Sequence, residues 1–198
     1  DLGQVQDGGA VLGFSYHDLQ ARLITRGADN AWARLREILS WYDEVRAGGG
    51  YRAYYKADKS TTLQGCGTCG GLGLDCEFYE SILLPQIMIA GFLGFEPRGD
   101  GFAVNPRLPS EWPSLAVTQI GLRRLVLDFT VDARSIQVNA AGRSAEPLFV
   151  YLPAGAWEVQ RLDADGKVLD RATADLAEPA SRFPILFQGK TAVRFVRR

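Results

Sequence analysis

Only one histidine, His17, and one methionine, Met88, occur in 198 residues, and the three cysteines all fall between Cys66 and Cys76. A tetrahedral metal needs four ligands, and the one imidazole lies far from the thiols in sequence, so no metal and no cofactor is expected. An excess of either charge is missing too. Lys and Arg number 22 against 23 Asp and Glu, and the bases are scattered without a basic stripe, which argues against a nucleic-acid partner. There is no initiator methionine and no basic segment followed by an apolar one and a cleavage site, so no address is readable and localisation stays open. The apolar run from Ile82 to Phe95 is broken by Pro85, Gln86 and two glycines and bounded by acids, so no membrane partner is expected either. What remains is an apolar share of 46%, enough for a globular chain of one or two domains.

The chain is organised around its middle. Gln64-Gly-Cys66-Gly-Thr-Cys69-Gly-Gly-Leu-Gly-Leu-Asp75-Cys76-Glu77-Phe-Tyr-Glu80 is a glycine-rich loop that breaks into a helix with three carboxylates in its first turns. No charge follows until Glu96, and a helix apolar on every face must be covered on every face. Free N–H groups and the positive dipole end beside those acids suit a polar ligand, so the stretch reads as the wall and rim of a pocket. Cys66-Gly-Thr-Cys69-Gly-Gly-Leu-Gly73 also fits the Cys-x-x-Cys-x-Gly-x-Gly unit of chaperone zinc modules, without the second Cys-x-x-Cys that such a site uses. A zinc or redox module, a Cys66–Cys69 disulfide and plain buried thiols are the three readings, the last preferred.

Around that middle, periodicity divides the chain. Asp7 caps a mostly apolar helix over Ala10–Ile24, and Gly27 stops it. Asn30–Ala47 is amphipathic, with Trp32, Leu35, Ile38, Leu39, Tyr42 and Val45 on one stripe. The order inner, outer, inner that these two and the wholly apolar third suggest is that of a helical barrel with two rings. Tyr51, Arg52, Tyr54 and Tyr55 cluster in the loop before the cysteines, a set able to stack on and hydrogen-bond a polar ring. After Phe95 come a turn over Glu96–Gly101 and a proline-punctuated connector to Pro113. Seven short strands follow: 115–120, 124–131, 135–139, 148–152, 157–162, 168–170 and 192–196, with Asp163-Ala-Asp-Gly166-Lys as a hairpin turn. That pattern predicts an antiparallel sandwich with a structural role.

Three runs then carry a resemblance: Gln6-Asp7-Gly-Gly9, the glycine-rich opening of the last helix, and Asp100-Gly-Phe-Ala-Val-Asn-Pro-Arg-Leu-Pro-Ser-Glu-Trp-Pro113. Together they resemble the C-terminal end of the six-hairpin, (α/α)6-barrel glycoside hydrolases, of the kind that includes family 65, with α-L-rhamnosidases and α-L-fucosidases sharing the architecture. The resemblance implies an α+β multidomain fold: residues 1–97 as the last helices of an incomplete catalytic barrel, 98–114 as connector, and 115–198 as a β-sandwich. It implies a glycosidase acting on oligo- or polysaccharides, mostly inverting, completed by the remainder of the same polypeptide or a partner chain.

Such chemistry needs a carboxylic acid to protonate the leaving oxygen and a carboxylate to activate water across a gap of about 6.5–9.5 Å. The acid is expected in the part of the enzyme preceding this stretch, and Glu77, Asp75 and Asp7 are the catalytic candidates here. Asp75 and Glu77 diverge by about 200° around a helix, so only one of them can face a pocket, whereas Glu77 and Glu80 share a face. Tyr51, Arg52, Tyr54, Tyr55, Gln64 and Glu80 are candidate sugar contacts. The alternative is a non-catalytic carbohydrate-binding or structural module.

Overall fold

The computed structural model describes residues 15–48, 80–178 and 181–198. The chain divides into two compact units, Asp1–Met88 and Ile89–Arg198. The first is helical. Helix α1, Ser15–Thr25, buries Leu19 and Leu23, one turn apart, and ends where Gly27 takes a positive φ of 86°. Helix α2, Ala28–Ala47, buries Ala31, Leu35 and Ile38 along one face, while Trp32 lies half-buried under the Arg36 guanidinium at 5.7 Å. The Asp18 carboxylate ties the pair together, pairing with Arg22 at 2.9 Å and Arg34 at 3.4 Å, and Arg22 also donates to Asn30 Oδ1 at 3.0 Å.

The third helix departs from expectation. Helix α3 is Glu80–Gln86, and Ile87–Phe92 continues it as π-helix. Pro85 explains the change: it has no N–H to return to the carbonyl four residues back, and its ring crowds that carbonyl, so the backbone widens beyond it. Leu84 is 42% exposed, so this helix is not covered on every side among the described residues. Nor do the described helices make an (α/α)6 barrel. Both α1 and α2 bury one face and wet the other, and the apolar content of three consecutive helices tells which faces need cover without requiring a closed ring. Among the described residues no helix is long and apolar enough to cross a membrane.

The second unit is β. Strands β1, Phe95–Arg98, and β2, Gly101–Val104, form a tight hairpin. They correct the expected turn and connector: the stretch is short and carries Pro97, but Phe95, Ala103 and Val104 are buried. Strands β3 (Ser114–Leu122), β4 (Leu125–Asp132), β5 (Ser135–Arg143), β6 (Leu148–Leu152), β7 (Gly155–Leu162), β8 (Val168–Leu176), β9 (Ser181–Ile185) and β10 (Gln188–Arg197) follow. Two sheets result, in the orders β1-β2-β6-β9 and β3-β4-β5-β10-β7-β8. Among the described strands all pairs are antiparallel except β2 with β6, a parallel pair the strand pattern did not reveal. Alternation then builds the core. Leu125, Leu127, Phe129 and Val131 of β4 face inward opposite Leu148, Val150 and Leu152 of β6. Phe95 meets Phe129 at 5.8 Å and Phe183 meets Phe195 at 5.5 Å, each pair joining one sheet to the other. Burial of Phe95, Phe129 and Phe195 contributes about 1.5–3 kcal/mol each.

Two local devices hold the frame. Gly94 has φ of 65°, and a Cβ there would run into the Asn105 carbonyl oxygen, whose own N–H donates to Gly94 O at 3.1 Å. The Asn105–Pro113 segment thereby folds back, with Arg107 N–H on Phe92 O at 2.7 Å and Trp112 against Phe92 at 4.9 Å. The Asp163–Lys167 hairpin turn forms as its sequence predicts, with Asp163 Oδ1 accepting from the N–H groups of Asp165 and Lys167.

Candidate functional site

Asp7, Tyr51, Arg52, Tyr54, Tyr55, Gln64, Asp75 and Glu77 lie outside the described residues, as do the three cysteines. Glu80 heads α3, and its side chain too is outside them. Among the described residues no three His, Cys, Asp or Glu side chains group as a metal site.

Two carboxyl groups of the sandwich sit in environments that favour their charged forms. Burial pushes the Asp132 carboxyl up, but hydrogen bonds from Arg134 N–H, Ser135 Oγ and Ser135 N–H outweigh it, at 2.7, 2.8 and 2.7 Å, and hold it below the ordinary range. Glu158 is also held below its ordinary range, first by the 2.8 Å hydrogen bond from Arg198, then by Gln160 at 2.8 Å, with Arg171 3.5 Å away. A general acid for glycoside cleavage needs the opposite shift. Both carboxylates are structural: Asp132 closes the β4–β5 turn, and Glu158 clamps β7 to β8 and to the chain end.

The outer face of the six-stranded sheet carries something the strand pattern left undervalued. A groove of about 700 Å³ crosses β4, β5, β10 and β7 beside the β7–β8 turn. Register sets its rows: Asp128 of β4 opposes Asn139 of β5, which opposes Ala192 of β10; one row on, Gln137 opposes Arg194, which opposes Gln160. A hydrogen-bonded chain runs along the face, Arg194 Nε to Gln137 Oε1 at 2.8 Å and Gln137 Nε2 to Asn139 Oδ1 at 3.0 Å. Asp128 Oδ1 accepts from Gln119 N–H at 2.7 Å, fixing the bulge in β3 where Gln119 has φ of 60°. Val126 and Leu169, 43% and 62% exposed, line the same groove. The available signal was the alternation Ser135-Ile-Gln-Val-Asn, which puts two amides on the wet face of a central strand. A second cavity of about 390 Å³ includes Tyr151, Asp132 and Trp157, but the Trp157 ring is 4% exposed and its N–H is spent on Pro153 O at 2.9 Å.

Residues 95–153 match the family described as Glycosyl hydrolase family 65, C-terminal domain. The match spans β1 through β6 and contains the whole Asp100–Pro113 run. It supports a glycoside hydrolase context, and specifically a C-terminal portion, for this chain. Among curated proteins nothing matches. One solved structure, Crystal Structure of Fe(II)-HppE with alternative substrate (S)-1-HPP, is similar at 11% identity over 94% of this chain and 96% of that one, with a TM-score of 0.18, a superposition too loose to bear on the fold.

Proposed function

We propose that this chain is the C-terminal portion of a glycosidase that cleaves oligo- or polysaccharides by an inverting acid–base mechanism, and that its sandwich supports catalysis without performing it. The observation that carries this is the coincidence of the family match with strands β1–β6 and with the Asp100–Pro113 run, which the fold uses to strap β2 back over Phe92. The downward shifts of Asp132 and Glu158 support a supporting role for the sandwich.

In this proposal the base is Glu77, Asp75 or Asp7, and the sugar is gripped by Tyr51, Arg52, Tyr54, Tyr55, Gln64 and Glu80. The general acid comes from the remainder of the same polypeptide or from a partner chain. The helices belong to the helical part of such an enzyme, whose relatives extend to the α-L-rhamnosidase and α-L-fucosidase architecture. A carboxyl pair suffices for hydrolysis, so no cofactor enters.

The test is hydrolysis of a panel of aryl α- and β-glycosides by the longest native polypeptide that contains this sequence, with product anomer read by NMR. Glu77→Gln or Asp75→Asn is expected to lower turnover about 10²–10⁴-fold while leaving the unfolding transition in place. Full turnover in both variants and in Asp7→Asn would remove the base from this chain.

A further inference from the structure

We infer that the outer face of the six-stranded sheet is an accessory binding site for a neutral oligosaccharide chain, separate from the residues assigned to turnover. The choice of a sugar rests on the glycosidase reading above; the existence of a ligand site rests on the groove itself.

Its chemistry narrows the occupant. The floor is made by side chains of central strands β5 and β10, whose backbone groups are already paired on both sides, so a peptide has no edge to extend. Carboxylates of Asp128, Asp163 and Asp165 share the lining with Arg161 and Lys190, and this mixture of signs suits neither a polyanion nor a polycation. Amides offer what hydroxyls need. A side-chain amide carries both donor and acceptor atoms, and a sugar hydroxyl both gives and takes a hydrogen bond, so even one free N–H₂ group, that of Asn139, can engage it. Surface amides normally rotate freely. Here the chain Arg194–Gln137–Asn139 fixes two of them, so part of the ordering cost of a polar contact is met before a ligand arrives. Asn139 Oδ1 is occupied by Gln137, while its N–H₂ has no partner among the described residues and is left to donate. Val126 and Leu169 supply aliphatic surface for the C–H faces of a pyranose ring. Four strands about 4.8 Å apart span ~14 Å, longer than one ring and suited to a short chain. With no aromatic ring among the described lining residues, binding is weak by itself and gains from attachment to a catalytic part that grips the same polymer.

The experiment is affinity electrophoresis and titration calorimetry of the full chain with maltohexaose, cellohexaose and xylohexaose, with glucose as the short control. At least one hexaose is expected to bind and glucose not to. Asn139→Ala is expected to weaken that binding about tenfold, equivalent to ~1.4 kcal/mol. Ala141→Arg, which leaves the amide chain intact and fills the groove from an exposed strand position, is expected to abolish it, with the unfolding midpoint unchanged. Glu77→Gln is expected to bind normally. No binding of any hexaose, or binding indifferent to both groove variants, overturns the site; loss in Glu77→Gln relocates the sugar to the catalytic residues and overturns it as well. Turnover of short aryl glycosides by the longest native polypeptide that contains this sequence, unchanged in Asn139→Ala, reports on the glycosidase reading independently.

Discussion

Asp132 shows how one carboxylate turns two strands. Its oxygens take three hydrogen bonds from Arg134 and Ser135, and the net effect holds its pKa below that of the unfolded chain. A depressed carboxyl contributes stability that is full above the unfolded pKa of about 3.9 and is lost as pH falls through the folded value. Asp132→Asn is therefore expected to unfold at lower urea than the parent at pH 7, by about 0.5–1 kcal/mol, because its amide oxygen can still accept from Arg134 and Ser135 N–H and solvent screens the lost charge. The gap should narrow steadily below about pH 4. Urea midpoints of the two proteins across that range check it; a constant gap would mean that the carboxylate's charge plays no part. Glu158 belongs to the same class, and the sign of its shift is the same.

At the scale of the element, the two edges of the four-stranded sheet share a device. β1 carries Pro97 and β9 carries Pro184, and each lacks one N–H that a neighbouring strand could use. Pro97→Thr with Pro184→Thr is expected to leave the melting temperature within a few degrees and to make the protein self-associate, seen as a concentration-dependent shift in size exclusion. A monomer at all concentrations would show that the edges are guarded by something else. The same prolines explain what the sequence concealed. β4, β5 and β6 were legible because Leu125-Val-Leu-Asp-Phe-Thr-Val alternates without interruption, the pattern of a strand with one buried face. β1, β2 and β9 are four or five residues long, and proline or glycine within or beside them mimics a turn, so only their tertiary partners define them. β8 extends six residues past the expected Asp170 because Arg171–Leu176 is polar and small, an edge stretch with little to bury. Helix α2 was legible in its stripe, and its start at Ala28 was set by Gly27, whose positive φ separates it from α1 with no longer loop.

At the scale of the molecule, β10 decides whether the six-stranded sheet exists. It lies between β5 and β7, and every strand on one side reaches those on the other only through it. Deleting residues 188–198 is expected to abolish cooperative unfolding of the second unit, measured by near-ultraviolet circular dichroism against urea; a sharp transition in the shortened chain would show the two halves to be self-sufficient. Sequence alone could not place β10 there, since alternation in Thr191-Ala-Val-Arg-Phe-Val reports a buried face and says nothing of which strands flank it. The glycine-rich loop, the helix-start acids and the tyrosine cluster suggest a polar pocket by residue chemistry alone, and apart from Glu80 they lie outside the described residues, while the amides of Gln137 and Asn139 acquire meaning only once register sets them beside Arg194.

The short link between β9 and β10 has a further consequence. Leu186 and Phe187 alone carry the chain from one sheet to the other, and Phe187 is buried. Should β10 leave its slot, β5 and β7 are bared as two matching rails that any second molecule's β10 fits as well as its own. The architecture is thus predisposed to strand exchange between copies, and crowded refolding would yield interlocked pairs that dilution separates only at the pace of unfolding.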